Sequence, residues 1–207
     1  MLWRCGGAHY NVVLRSAAFR YAIAVSIVAT GVSAAVHREA GQFLFQKYES
    51  RVYGASPQNW AVLEDTRGIL YFGNTEGLIS FDGVQWRRIP LPKAGTVRAL
   101  AMDAAGRIYV GGQGMAGYLD GDAQGAPRFV SVLDQLPEAQ RRIGNTGSVV
   151  VNADGAYFSA PDRFFRWNPK DGVKPFPAKG DFRRAFILDG AVYVVVKGVG
   201  LRSEERR

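Results

Sequence analysis

Residues 65–83 read DTRGILYFGNTEGLISFDG, and the fold is decided there. An acidic residue, a short turn closed by glycine and a β-like run bearing an aromatic follow one another as Asp65, Gly68 and Tyr71. Asp and Gly are the residues such a turn needs, because the carboxylate accepts from nearby backbone N–H groups and glycine adopts positive φ without a steric penalty. A second run starts after Gly77, and Asp82-Gly83 then supplies a hairpin signal. Reading outward, WAVLED precedes the stretch and VQWRRI follows it, so residues 60–93 predict four short antiparallel strands.

The pattern recurs as Asp103-Ala-Ala-Gly106 before RIYVGG with Tyr109, as Asn152-Ala-Asp-Gly155 before AYFSA, and as Leu188-Asp-Gly190 before AVYVVV. The glycines Gly68, Gly106, Gly155 and Gly190 are spaced 38, 49 and 35 residues apart. These periods bracket the roughly 40 to 50 residues of one four-stranded propeller blade. The longest spacing is accounted for by LPEAQRRIG, a stretch with modest helical character. The expected fold is therefore all-β, a partial β-propeller of about three and a half four-stranded blades over residues 60–207. Gly68 is followed by 25 residues of its blade to Lys93, whereas 17 residues follow Gly190, so the fourth blade is expected to lack at least its outer strand.

Hydrophobic residues make up 47% of the chain and aromatic residues 12%, which is enough to build a core. The net charge of +8 invites a nucleic-acid reading, but its distribution argues against one. Arg4, Arg15 and Arg20 stand in an acid-free N-terminal stretch, and the pairs Arg87-Arg88, Arg141-Arg142 and Arg183-Arg184 are scattered through the repeats. No nucleic-acid partner is expected.

Residues 1–34 read as a signal peptide. The basic stretch precedes YAIAVSIVATGVSAAV, and Val32-Ser33-Ala34 offers small residues for cleavage. The 16 residues from Tyr21 to Val36 fall short of the ~20 that span a bilayer, which favours a cleaved signal over an anchor. The protein is expected to be exported to the periplasm, with anchoring to the inner membrane as the alternative. Cys5, the sole cysteine, lies in the signal, so the exported part has no disulfide. Residues 35–59 form a lead-in in which Phe43, Phe45 and Tyr48 mark a candidate strand for closing the ring.

Catalytic and cofactor chemistry is scarce. The only histidines are His9 and His37, which excludes a His-based general base or metal cluster from the repeats. Gly112-Gln-Gly114-Met-Ala-Gly117 matches a dinucleotide fingerprint in spacing, but a hairpin follows where the mechanism needs a helix N-terminus. Asp120-Gly-Asp122 and Asp154-Gly155 read as β-turns in preference to calcium ligands. No metal, no cofactor and no catalytic residue is expected. Trp60, Trp86, Trp167, Phe164 and Phe165 are expected in the core between blades, a ligand surface being the less favoured account.

Residues 65–86, DTRGILYFGNTEGLISFDGVQW, resemble the two-component regulator propeller repeat through Asp65, Gly68, Leu70, Tyr71, Gly73, Asn74, Gly77, Leu78, Phe81, Asp82 and Gly83. GRIYVGGQGMAGYL, from Gly106, is similar to a glycine-rich variant in periplasmic sensors that carry a triple-tyrosine domain after the propeller. The resemblance implies the sensory half of a membrane receptor. In that family a β-sandwich, a transmembrane helix and an output follow, the output being a histidine kinase, a diguanylate cyclase or a DNA-binding module. On that basis the chain is expected to be a truncated receptor, its partners being the remainder of the receptor and a small-molecule or glycan ligand or a partner domain. A stand-alone exported binding or scaffold propeller is the alternative, and a propeller enzyme ranks behind both. Loops between second and third strands share one face of a propeller, which puts Asn74, Gln113, Arg163 and Lys197 forward as hypothetical contacts, with solvated turn residues as the plainer account.

Overall fold

Strand after strand is set by Asx turns, in which an Asp or Asn side chain takes the backbone N–H groups that the chain reversal frees. In a computed structural model, described for residues 45–176 and 180–203, Asp65 Oδ1 accepts from the N–H groups of Arg67 at 2.8 Å and Ile69 at 3.0 Å. Asp103 Oδ1 does the same with Ala105 and Arg107, at 3.0 and 2.9 Å. Gly68 and Gly106 close these turns at φ of 79° and 83°, a backbone region that side chains with a Cβ resist. The carboxylate's other oxygen accepts from the tyrosine six residues on, Tyr71 in one blade at 3.3 Å and Tyr109 in the next at 3.0 Å.

Fifteen strands result among the described residues. The first blade comprises β1 (Asn59–Glu64), β2 (Leu70–Asn74), β3 (Gly77–Phe81) and β4 (Trp86–Ile89). The second comprises β5 (Val97–Met102), β6 (Ile108–Gly112), β7 (Met115–Gly121) and β8 (Pro127–Ser131). The third holds β9 (Ser148–Asn152), β10 (Gly155–Ala160), β11 (Arg163–Asn168) and β12 (Gly172–Pro175). The fourth holds β13 (Phe182–Leu188), β14 (Ala191–Val196) and β15 (Gly200–Ser203). Each blade is an antiparallel meander in sequence order, with four strands in the first three blades and three among the described residues of the fourth. First strands of successive blades run side by side at the axis, so the sheets splay outward from it. The LPEAQRRIG stretch carries the 3₁₀ turn Glu138–Gln140, and another spans Leu133–Gln135.

All four repeat turns join a first strand to a second, but they differ chemically. In the third blade, Asn152 pairs directly with Gly155, which begins β10 at φ 139°. This is the geometry of Asn74 and Gly77 between β2 and β3, where Asn74 Oδ1 accepts from Glu76 N–H just as Asn152 Oδ1 accepts from Asp154 N–H, both at 2.9 Å. Gly155 is thus a strand residue and not the equivalent of Gly68. In the fourth blade, Asp189 and Gly190 both adopt positive φ, 50° and 79°, as a two-residue type I′ hairpin demands.

Blades join through three apolar layers. Tyr71, Leu78 and Ile89 meet Val97, Ile108 and Val110 between the first and second blades. Tyr109 and Ala116 meet Val149, Phe158, Phe165 and Trp167 between the second and third. Tyr157 and Phe164 meet Phe182, Val192, Val194 and Val196 between the third and fourth. Two residues beyond the tyrosine of each second strand stands Gly73, Gly111 or Ser159, where the next blade's first strand crosses. A Cβ on Gly73 would stand 2.9 Å from Val97 Cγ1, and one on Gly111 would stand 2.8 Å from Thr146 Cγ2. Ser159 instead uses its hydroxyl to donate to the carbonyl of Arg183 at 2.7 Å. In the fourth blade the equivalent residue is Val195, on the face turned away from the third blade.

The two ends of the stack differ. Over the outward face of the first blade, Tyr48 packs edge-on against Phe81 and Trp86 at centroid distances of 5.2 and 5.3 Å, and Tyr53 lies 5.2 Å from Trp86. Tyr53 ends a single helical turn, α1 (Ser50–Tyr53). Residues 45–49 form no strand, and Tyr48 takes part in this aromatic cover; Phe43, the rest of the candidate closing strand and the signal segment lie outside the described residues. At the other end, Phe186, Leu188 and Leu201 remain 37%, 57% and 55% exposed, and Phe186 stacks on Tyr193 at 5.8 Å. Trp167, Phe164 and Phe165 are core residues as expected, whereas Trp86 belongs to the terminal cover and Trp60 is 39% exposed.

Candidate ligand-binding face

Alternating strand direction puts the turns between second and third strands, together with the links from blade to blade, at one end of the stack. Asn74, Gln113, Arg163 and Lys197 all lie at that end. Asn74 is fully buried; its Nδ2 donates to the Ser56 carbonyl at 2.7 Å and to Asn59 Oδ1 at 2.8 Å. Its amide is spent on tying the lead-in to the first blade, so its side chain is a structural tie and not a surface contact. Gln113 is exposed, its backbone bridging to Asn145 and its N–H donating to the Thr96 carbonyl at 2.8 Å. Arg163 Nη1 donates to the Gln140 carbonyl at 2.6 Å, and Lys197 is exposed. No hydrogen bond or ion pair joins any two of the four.

A second constellation at this end has no counterpart among the sequence motifs. The pairing of β1 with β2 is irregular between Asn59 and Ala61, that of β5 with β6 between Val97 and Ala99, and that of β13 with β14 between Phe182 and Ala185. Such bulges release a side chain from the regular pleat and re-aim it. The residues released are Trp60, Arg98 and the pair Arg183-Arg184. Arg98 places its guanidinium carbon 3.7 Å from the centroid of the Trp60 ring, and Trp60 Nε1 donates to Thr75 Oγ1 at 3.0 Å. Arg98 has no acidic partner among the described residues, and its Nε is buried without an acceptor. Arg183 pairs with Asp181. Aligning the first strands NWAVLE, VRALAM and FRRAFIL brings these residues into one column.

Two hollows flank the first blade. One of about 240 Å³ lies at the same end, bordered by Asn74, Glu76, Arg88, Leu91 and Lys93, with Arg88 paired to Glu76 at 2.9 Å. The other, a groove of about 1020 Å³, lies at the opposite end between the first two blades. Its rim carries Asp65, Arg67, Arg87, Asp103, Arg107 and Asp120. Burial opposes ionisation of Asp65, but the Arg67 guanidinium and the N–H groups of Ile69 and Arg67 outweigh it and hold the carboxyl below its ordinary value. Burial, reinforced by the Asp103 carboxylate, pushes the Tyr109 phenol up to about 12. Both tyrosine–carboxylate pairs are thus fixed hydrogen bonds at neutral pH. Among the described residues no group of three or more His, Cys, Asp or Glu side chains is arranged to hold a metal ion. No helix among them is long and apolar enough to cross a membrane.

No family model matches the chain, and no curated protein does. Solved structures do match. The extracellular domain assigned to the hybrid two-component system BT4673 from B. thetaiotaomicron superposes with a TM-score of 0.52 at 16% identity, covering 70% of this chain and 20% of that one. The corresponding domain of BT3049 from the same organism gives 0.52 at 13% identity, over 74% and 22%. Virginiamycin B lyase from Staphylococcus aureus gives 0.50 at 11% identity, over 72% and 55%. At these identities the likeness is one of fold: the chain is a partial β-propeller. It spans about a fifth of the length of the extracellular domains it matches.

Proposed function

We propose that the chain is a ligand-sensing segment of a larger extracytoplasmic propeller, belonging to a signal-transducing receptor and acting by binding instead of catalysis. The observation that carries this reading is the outward face of the fourth blade. Phe186, Leu188, Tyr193 and Leu201 form an apolar sheet surface beside an unpaired edge strand, β15, and surfaces of that kind mark an interaction site. Likeness in fold to extracellular domains of two-component systems supports the receptor context, and the signal-like N-terminus supports export. The ligand is a small molecule or glycan, or a partner domain, met at the end that carries Gln113, Arg163 and Lys197.

A stand-alone binding propeller is the second reading, and two observations favour it. Val195 replaces the glycine or serine over which each following blade crosses, and the lead-in already covers the first blade. One experiment separates the two. Purified chain is compared with a Leu188→Asp, Leu201→Asp double variant by light scattering and by binding of a hydrophobic dye. The receptor-segment reading expects concentration-dependent association and strong dye binding that the double variant abolishes. A monodisperse monomer that leaves the dye unbound would decide for the stand-alone protein.

A further inference from the structure

The Trp60–Arg98 pair carries an assignment that the proposed function leaves open, namely the chemistry of the ligand; it rests on the reading of this end of the stack as the ligand-binding face. An arginine without an acidic partner is costly to bury, because the charge gives up water and receives little in return. Arg98 is half-buried over an indole face, with one of its five donors shut away from both water and any acceptor. Six other arginines pair with carboxylates among the described residues, Arg67 with Asp65, Arg88 with Glu76 and Arg166 with Asp171 among them, and Arg98 is one of those that do not. The indole holds the guanidinium carbon 3.7 Å from its centroid, and the two Nη groups, which have no hydrogen-bond partner among the described residues, match a carboxylate in bidentate fashion. The surroundings are pre-formed. Trp60 is pinned through its Nε1 to Thr75, and the Thr75 carbonyl accepts from the Thr96 hydroxyl at 3.1 Å.

We infer that Arg98, held against Trp60, is the anchor of a carboxylate-binding subsite at the axis, and that the ligand is a small acid, of which a sugar acid fits best. Trp60 is 39% exposed, so the part of the indole that the guanidinium leaves uncovered offers an apolar surface to a pyranose ring, and the guanidinium supplies the countercharge to its carboxylate. Arg184, exposed at the same strand position two blades on, adds positive potential toward the axis.

The test is titration of the full chain with sodium glucuronate, with glucose as the uncharged counterpart and with sodium sulfate as an anion of different shape, read by tryptophan fluorescence and by calorimetry. Expected are binding of glucuronate, weaker binding of sulfate and none of glucose. Arg98→Met keeps the stem on the indole and removes the charge, and it should weaken glucuronate about tenfold or more; Arg98→Lys, a point charge without the fork, should weaken it less. Near-UV circular dichroism confirms that each variant keeps its packing. Equal affinity in wild type and Arg98→Met, or no response of the folded wild type to either anion, overturns the carboxylate subsite. If glucose binds as well as glucuronate and Gln113→Ala removes both, the ligand face stands and the assignment to Arg98 falls.

Discussion

At the scale of single residues, each of the first two blades is locked by one Asp–Tyr pair. The aspartate organises a turn with one oxygen and receives a phenol with the other, so a single side chain connects the turn to the core layer behind it. The fold favours the protonated phenol, since Tyr109 is raised from 10.0 to about 12 and Tyr71 is raised in the same direction. A group that holds its proton more tightly when folded contributes its full stabilisation below the unfolded value and loses it as the pH climbs through the folded one. The urea midpoint should accordingly drop between about pH 10 and pH 12, and Tyr109→Phe should flatten that drop while lowering stability at pH 7 by about 1 kcal/mol for the lost hydrogen bond. A wild type and variant with superimposable alkaline profiles would show that Tyr109 is not the group responsible.

At the scale of elements, blades stack because something small stands where the next first strand crosses. Gly111 is the tightest of these positions, flanked by Thr146 and Val149 side chains each 2.8 Å from where a Cβ would be. Gly111→Ala should therefore destabilise by about 1–3 kcal/mol, the usual cost of overpacking, measured by urea unfolding. An unchanged midpoint would mean that the second and third blades part without cost. The terminal cover makes a separate prediction. Tyr48→Ala uncovers Trp86, so the emission maximum should move to the red with little change in the blades beyond the first; no shift would place Tyr48 elsewhere in solution. Turns and strands are legible in the sequence because Asp-x-x-Gly and alternating apolar residues act locally, as Asp65 and Asp103 do. The cover is not, because Tyr48 stands in a strand-like pattern, and its packing depends on which surface lies nearest; Phe81 and Trp86 offer an aromatic one.

At the scale of the whole molecule, stability should fall from the middle of the stack toward the fourth blade. β15 is exposed at all four of its residues and pairs on one side only, whereas β6 is buried throughout. Hydrogen exchange should find β15 least protected and β6 and β10 most protected. Equal protection across the four blades would argue against a graded stack. The blade period is legible in the order of residues alone, because the spacing of the turns bounds it. The end of the stack that gathers the loops is legible in the same way, but the Trp60–Arg98 pair is not. Asn74 belongs to a buried network that no local pattern announces, and Trp60 and Arg98 lie 38 residues apart, joined only by bulges in two different strands. Pairing irregularities are three-dimensional facts, and a sequence shows them only when its repeats are laid over one another.

The unequal ends also give the molecule a direction in time. The first blade is covered by residues synthesised before it, while the bare face of the fourth belongs to residues made after the other three blades. Such a stack can mature from its N-terminal side as it is made, each finished blade offering an apolar face to its successor.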